Sequence, residues 1–473
     1  MSAPPLATRG RPSLIVALIA CVIAFALQQT AIVPAIGDVQ QSLHAGKEWT
    51  AWLVTVYLMV ATVATPVMGR LADLYGRRRM LLAGLLVFGL GSVGAACAPG
   101  LAVLLVFRSV QGVGGAVYPL ALALGRDAAD GDQEGRTIAL LAGSFGVGSA
   151  VGFASGGALA DFVTWRAVFV LGAVLVVLAG SAVLKWIGPD TGRASGGFDT
   201  VGTGFLSVAS IGLLMGLTLV VTLGPGSFGT VIALALAVAA AVLWVRHELR
   251  AENPIVDLHV LTSPAVAAAN LATFGLGWAM FSSFLLIPEF ARTPPTQVGY
   301  GLAASGFMVG ILLVPQAVGQ AVTAALAGTI TALPPRLVFA TGLLAVTASE
   351  ILLAFIRRDP WMVGGAMLLL GAGGGLAMEA ASSITTRGVR DDVAAASASL
   401  NSTVRRLAGG LGGQISTLIL AALVAGGGQY PSFGGFVVGY LIACGLCVGG
   451  AIAVGLRKAD DGSSAQPAAA QHG

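Results

Sequence analysis

Long apolar segments separated by short polar breaks run along almost the whole chain. A helix that crosses a bilayer needs about 20 consecutive, mostly apolar residues, and fourteen segments meet or approach this length. The predicted spans are 14–36, 49–71, 80–98, 101–124, 137–160, 165–187, 201–223, 231–245, 263–288, 300–327, 337–356, 361–384, 402–425 and 434–456.

The composition agrees with this pattern. Of the 473 residues, 56% are hydrophobic and only 10% are charged, whereas soluble domains have about 25% charged residues. Since lipid offers no partner for backbone N–H and C=O groups, the spans must be helical. The first span is longer than a signal-peptide core and has no small-residue cleavage site, so we expect it to be retained. The chain is predicted to be an all-α integral membrane protein.

Lysine and arginine are distributed unequally between alternate loops. If both termini are cytoplasmic, the inner segments, including Arg405 and Arg406, hold 19 of the 25 basic residues, the outer segments hold 5, and Arg108 lies within a span. Positive residues favour the cytoplasmic side, which predicts a multi-pass protein of the cell (cytoplasmic) membrane with both ends inside. The asymmetry explains the pI near 9.0, so the basic balance gives no reason to expect a nucleic-acid partner.

Polar connections divide the spans into groups of six, two and six. We predict a cytoplasmic tail at 1–13, a six-helix bundle at 14–187, a linker with two inserted helices at 188–262, and a second six-helix bundle at 263–456. The polar, Ala-rich segment 457–473 is predicted to be a disordered cytoplasmic tail.

The loop after the second span reads GRLADLYGRRRM. Its glycines permit close helix approach and a tight turn, its aspartate can cap a helix or pair with an arginine, and its arginines suit the anionic inner face. The spacing resembles the G-x-x-x-D-x-x-G-R-R signature of the major facilitator superfamily, which implies a gating role; an ordinary positive loop is the alternative. The residues concerned are Gly69, Asp73, Gly76, Arg77 and Arg78.

The fourth span contains Arg108, Gln111 and Gly112, which resemble the R-x-x-Q-G motif of the same superfamily. An arginine inside a span is costly unless it faces a polar cavity or a partner. We therefore expect Arg108 and Gln111 to face a cavity between the bundles. The alternative is a structural arginine bound to backbone carbonyls.

The fifth span reads GSFGVGSAVGFASGG at 143–157. It resembles the antiporter motif G-x-x-x-G-P-x-x-G-G of drug exporters, with Phe153 in place of the proline. A face of small residues lets helices approach closely, and we expect this one to press against the opposite bundle. The replacement of proline by Phe153 removes a kink. The matching glycines are Gly148, Gly152, Gly156 and Gly157.

The resemblance extends over about 14–456 and is to the fourteen-span drug:proton antiporters. It implies the major-facilitator fold, two six-helix bundles plus two inserted helices, and alternating access. It also implies export of lipophilic or amphipathic small molecules, protons as the coupling ion, and a monomer in the lipid bilayer. The aspartate of the family's L-D-x-T motif is absent from the first span, where Gln28 and Gln29 stand. We expect Gln28 and Gln29 to face the cavity, where these amides can form hydrogen bonds with a substrate but cannot titrate.

Few acidic side chains fall inside the spans. Glu350 lies in span eleven, Glu379 toward the inner end of span twelve, and Glu289 at the outer end of span nine. A buried carboxyl can take up a proton near neutral pH, and Glu350 is the preferred proton site. Its alternatives are an approach to Arg357 or a structural pairing between helices.

Aromatic residues in span nine are suited to lipophilic substrates. We expect Trp278, Phe281 and Phe284 to contact substrate in a cavity at mid-membrane. The alternative is that these rings pack against helices or face lipid.

Two other functions are open to a chain of this kind. A dedicated exporter of one endogenous metabolite or lipid would have the same sequence features. A membrane-embedded enzyme would need clustered nucleophiles, metal ligands or paired acids, which the spans do not display, so no enzymatic activity is predicted. We expect no cofactor or metal, because the histidines are scattered at His44, His247, His259 and His472.

Overall fold

The computed structural model describes residues 11–129, 134–189, 199–251, 254, 258–262, 264–327, 333–386, 391–424 and 430–455. Within these ranges the regular structure is helical, apart from one isolated bridge between Val424 and Pro431. This confirms the predicted all-α architecture. The predicted C-terminal tail and most of the N-terminal tail lie outside the described residues.

One helix corresponds to each predicted span. The fourth is interrupted by a 3-10 turn at Val113–Ala116. The helices are α1 (Arg11–Ser42), α2 (Trp52–Tyr75), α3 (Arg77–Ala96), α4 (Leu101–Gly112 and Val117–Ala128), α5 (Glu134–Phe162), α6 (Trp165–Trp186), α7 (Thr200–Leu223), α8 (Phe228–Glu248), α9 (Pro264–Arg292), α10 (Gly306–Ala327), α11 (Pro335–Phe355), α12 (Pro360–Thr386), α13 (Asp391–Ala422) and α14 (Phe433–Gly455).

Thirteen of the helices in the described ranges are long and apolar enough to cross a membrane. The exception is α13, which has 32 residues but carries buried Arg406 and Gln414 and half-buried Arg405. It begins at Asp391, well before the predicted start of span thirteen at residue 402. The sequence boundary was set where the apolar run starts, and the helix extends beyond that run.

Polar side chains and prolines fix where several helices begin. The Thr164 side chain caps α6, Asp199 caps α7 by accepting from Gly202 N at 2.8 Å, and Ser227 caps α8. Pro335 occupies the first turn of α11, where its missing N–H costs nothing. Short polar breaks therefore suffice to end one span and begin the next.

The helices form two packed groups, α1–α6 and α9–α14. Contacts between the groups run mainly along α5 against α10 and along α2 against α13. The remaining pair, α7 and α8, lies beside them, and α7 touches both groups. There Trp52 Nε1 donates to Thr218 Oγ1 at 2.8 Å, and Thr218 Oγ1 donates to Gln414 Oε1 at 3.4 Å.

The glycines of α5 pack against two different helices. A Cβ added at Gly148, Gly152 or Gly156 would lie closer than 3.0 Å to atoms of α1. A Cβ at Gly157 would be equally close to the backbone of α10 at Gly306. The expectation that the whole motif faces the opposite group is therefore corrected. Gly148, Gly152 and Gly156, which are spaced four residues apart, pack against α1 within their own group. Residues four apart share a helix face, whereas the next residue is turned by about 100°.

No proline interrupts α5, which is continuous from Glu134 to Phe162. The backbone oxygen of Phe153 lies against Gly310 of α10, so the two helices approach without a side chain between them. The Phe153 ring meets Phe284 of α9 edge-on, with centroids 5.5 Å apart. The residue that replaces the motif proline thus contacts the other group of helices through both its backbone and its ring.

Candidate functional site

A central cavity of about 80 Å³ lies between the two groups of helices. Its lining comes from α1, α2, α4 and α5 on one side and from α9, α10, α12 and α13 on the other. Ligand pockets usually have volumes of about 300 Å³ or more. A substrate would therefore need the two groups to move apart.

Aromatic rings form much of the cavity wall. On one side Tyr118 and Phe145 stand with centroids 5.1 Å apart, next to Phe25. On the other side Phe281 and Phe284 pack edge-on at 5.3 Å. Both of these α9 rings were predicted to contact substrate, and both line the cavity. The surface suits an apolar or aromatic body.

The charged part of the lining comes from α12 and α13. Glu379 is the acidic residue that lines the cavity in the described part of the chain, and Arg405 and Arg406 line it too. Arg405 donates from Nη1 to Met378 Sδ at 3.4 Å, a weak hydrogen bond. Glu379 and Arg405 form no ion pair within 4.0 Å with each other or with any other described residue.

Arg406 connects the two groups of helices. Its guanidinium donates to Ala61 O and Gly115 O, each at 3.1 Å, and to Thr65 Oγ1. Charge counting groups Arg405 and Arg406 with the inner basic residues, although the predicted span 402–425 contains both. The structure corrects this grouping: both lie within the bundle and line the cavity, because the helix begins at Asp391. The available signal was the position of both arginines between apolar Val404 and the glycine-rich continuation of the same helix.

The two glutamines of α1 point in different directions. Gln29 lines the cavity, together with Thr30. Gln28 is fully buried and lies against Gly172 of α6, where its side-chain polar atoms have no hydrogen-bond partner among the described residues. The structure thus differs from the sequence expectation for Gln28, because adjacent helical residues project about 100° apart.

Arg108 and Gln111 lie behind the cavity wall rather than on it. Arg108 Nε donates to Leu53 O and its Nη1 donates to Gln111 Oε1, both at 2.8 Å. Its guanidinium lies over the ring of Tyr57, 4.7 Å from the centroid, and Tyr57 lines the cavity. Arg108 therefore supports a cavity residue, and its geometry matches the structural alternative.

Glu350 and Trp278 are also buried away from the cavity lining. Ser283 Oγ of α9 donates to Glu350 Oε1 at 3.5 Å, and the other carboxylate oxygen has no hydrogen-bond partner in the described residues. The Trp278 ring packs against Phe274, with centroids 6.3 Å apart. The position of Glu350 along its helix was foreseen, but its side chain points toward the interior of the second group.

The loop motif after α2 links three helices of one group. Gly76 has φ 104° and ψ 136°, a conformation that glycine adopts readily. Arg77 pairs with Asp127 of α4 at 2.7 Å and lies 3.8 Å from Asp73, while Arg78 donates to Leu184 O of α6 at 3.4 Å. A Cβ at Gly69 would meet nothing within 4 Å, so the expected close approach is not seen at that residue.

A second cavity, of about 320 Å³, lies toward the predicted outer side. Phe284 lines this outer cavity as well as the central one, and it therefore stands between them. Arg292 of α9 pairs with Asp38 of α1 at 2.5 Å, and Lys47 pairs with Glu289. These two ion pairs join the groups at the predicted outer ends.

Asp161 gives a third link between the two groups, from the end of α5 to the start of α10. Its carboxylate accepts from the backbone N–H groups of Gly306 and Phe307 at 3.0 and 2.8 Å. An acidic group is favourable at a helix N-terminus, where free N–H groups and the helix dipole meet. The predicted outer ends are thus linked in the conformation observed.

Comparison with known proteins gives consistent results. The sequence model of the Major Facilitator Superfamily matches residues 18–413. An uncharacterized MFS-type transporter of Mycobacterium tuberculosis (strain ATCC 25618 / H37Rv) is 29% identical over 384 residues, which cover 80% of this chain and 54% of the relative. The chain therefore spans about half the length of that relative.

Two further relatives have names that refer to drugs. Multidrug resistance protein Stp of Mycobacterium tuberculosis (strain CDC 1551 / Oshkosh) is 28% identical, covering 82% of this chain and 72% of the relative. Multidrug transporter protein MdtP of Bacillus subtilis (strain 168) is 26% identical, with coverages of 78% and 68%.

Solved structures with similar backbones include two transporters. A peptide transporter POT, in complex with sulfate, superposes with a TM-score of 0.69 at 15% identity, covering 95% of this chain and 94% of the other. The nucleoside transporter NupG superposes with a TM-score of 0.63 at 12% identity, with coverages of 94% and 99%. At such identities the likeness shows the fold alone, and that fold is the predicted all-α membrane fold.

Proposed function

Because the chain belongs to the Major Facilitator Superfamily, we propose that it is a secondary transporter that exports lipophilic or amphipathic small molecules by alternating access. The observation that carries this proposal is the central cavity between two groups of helices, which is lined by aromatic rings from both groups and by charged side chains of α12 and α13. The names of the relatives support drug efflux. They give the alternative of a membrane-embedded enzyme no support.

Proton coupling is the second part of the proposal, and Glu379 is its proposed carrier. It is the acidic side chain in the cavity lining of the described chain. A carboxyl group inside a membrane protein that faces a cavity is a frequent site of proton exchange. Arg126 and Tyr118 lie within electrostatic range of this carboxyl. A substrate and a proton that compete for one carboxylate give exchange across the membrane.

The proposed location is the cytoplasmic membrane, with both termini in the cytoplasm and a monomer as the working unit. The distribution of basic residues supports this orientation. The ion pairs Asp38–Arg292 and Lys47–Glu289 would then lie on the outer side, where they must break when the cavity opens outward.

The function is tested by efflux of a lipophilic fluorescent dye from cells that express the chain. Expressing cells are expected to retain about tenfold less dye than empty-vector cells, because active export opposes passive entry. An uncoupler should abolish the difference. Equal dye retention with and without a well-expressed transporter would contradict the proposed export, and uncoupler-resistant export would contradict proton coupling.

Loss of the ion pair made by the loop motif is expected to reduce dye efflux moderately. Arg77→Ala and Asp127→Asn should each reduce dye efflux by about threefold to tenfold, because each removes the same ion pair between the α2–α3 turn and α4. The exposed neighbour Arg79 provides the matched control, and Arg79→Ala should leave efflux unchanged. Full efflux in both pair variants, at equal surface expression, would show that the ion pair has no part in transport.

A further inference from the structure

The central cavity carries two opposite charges that do not pair with each other. Arg405 and Glu379 both line it, and no ion pair within 4.0 Å joins them. Tyr118, which lines the same cavity, lies within electrostatic range of both groups. Charges in such surroundings interact strongly with any charge brought close to them.

The three charged groups of the lining are not equivalent. Arg406 already donates to two backbone oxygens and to Thr65 Oγ1. Arg405 has only the weak bond to Met378 among the described residues, so most of its N–H groups remain available. Glu379 likewise has no ion-pair partner in the described chain. Arg405 and Glu379 are therefore the groups that a ligand can satisfy.

A ligand with one charge would satisfy only one of these groups. Burying a charge without a partner is costly, whereas a matched pair recovers much of that cost. A ligand with a carboxylate and an ammonium group can meet both partners at once. The rings of Phe281, Phe284 and Tyr118 in the same lining supply contact for an apolar or aromatic body.

We infer that the central cavity selects amphipathic zwitterions, whose carboxylate binds Arg405, whose ammonium group binds Glu379, and whose aromatic body packs on the α9 rings. This inference rests on the proposed function and specifies its substrate class. A guanidinium binds a carboxylate through two parallel hydrogen bonds, so Arg405 fixes the orientation of the ligand. Lipophilic monocations are correspondingly weaker ligands.

Three matched probes test the charge rule by binding alone. Nε-dansyl-lysine is a zwitterion, its methyl ester is a cation, and its Nα-acetyl derivative is an anion, while all three share one fluorophore. Purified full-length protein in lipid nanodiscs is titrated with each, and the signal of empty nanodiscs is subtracted. The zwitterion is expected to bind about tenfold more tightly than either derivative, since each derivative loses one charge-assisted contact.

Variants then assign each contact. Arg405→Gln should weaken binding of the zwitterion and of the acetyl derivative by about tenfold and leave binding of the ester unchanged. Glu379→Gln should weaken binding of the zwitterion and of the ester and leave binding of the acetyl derivative unchanged. Arg250→Gln, which neutralises an exposed charge beyond α8, should keep the wild-type order.

The wild-type series alone is decisive if a variant fails to fold. An ester that binds as tightly as the zwitterion, or the absence of binding by all three probes, would overturn the inference. Equal affinities for the three probes, together with uncoupler-sensitive dye efflux, would overturn this inference and leave the proposed function intact. The expected order of probe affinities, if found in a protein that exports no dye, would instead overturn the proposed function.

Discussion

Replacing Glu379 by glutamine is expected to abolish uncoupler-sensitive export while leaving a folded transporter in the membrane. Glutamine keeps the shape of the side chain but cannot exchange a proton. Dye retention in Glu379→Gln cells should approach that of empty-vector cells, a change of about tenfold or more. The measurement is dye efflux at matched surface expression, with and without an uncoupler.

Glu350 provides the matched comparison, because sequence position alone favours it as the proton site. It is fully buried, bonded to Ser283 and absent from the cavity lining. Glu350→Gln is expected to keep uncoupler-sensitive export. If Glu350→Gln loses export and Glu379→Gln keeps it, the proton site belongs to the interior of the second helix group rather than to the cavity.

The second large effect is expected at Gly156. A Cβ there would lie closer than 3.0 Å to the backbone of Ala31, and backbone atoms cannot move aside as a side chain can. Gly156→Val should therefore destabilise the packing of α5 on α1 by about 3 kcal/mol or more, the upper range for overpacked sites. The yield of monodisperse protein, measured by size-exclusion chromatography of a fluorescent fusion, should fall by about fivefold or more.

Gly143 is the control for this prediction. It lies in the same helix, and an added Cβ would meet nothing within 4 Å. Gly143→Val introduces the same β-branched side chain into α5 and should leave the yield unchanged. If both variants give the wild-type yield, the glycine face of α5 does not determine how closely the two helices pack.

Much of the fold follows from the sequence because lipid enforces a simple rule. Every spanning segment must satisfy its own backbone, so an apolar run of sufficient length is a helix. The turn at Gly76 was also predictable, since its positive φ is a conformation that glycine adopts readily. Polar breaks then set the helix ends, as at Asp199 and Ser227.

The direction of individual side chains could not be predicted in the same way. Hydropathy locates a residue along a helix, but a rotation of one residue moves a side chain to another face. Gln28 faces α6 while Gln29 faces the cavity, and Glu350 is buried while Glu379 lines the cavity. The sequence therefore identified the acidic candidates but ranked them in an order that the geometry does not support.

Charge counting had a related limit. Basic residues near the end of a span are counted with the adjacent loop, and Arg405 lies near the start of the predicted span 402–425. The helix begins at Asp391, however, so the arginine lies well inside α13 and reaches the cavity. The charge that gives the cavity its proposed selectivity was thus taken for an orientation signal.

The central claim is that export through this cavity exchanges substrate for a proton. It is tested in proteoliposomes that hold a pH-sensitive dye, with the membrane potential clamped by potassium and valinomycin and an imposed gradient of a substrate identified by the efflux assay. The account predicts that substrate flux drives protons in the opposite direction in the wild type and moves no protons in Glu379→Gln. Substrate flux without proton movement, or protons that move in the same direction as the substrate, would contradict it.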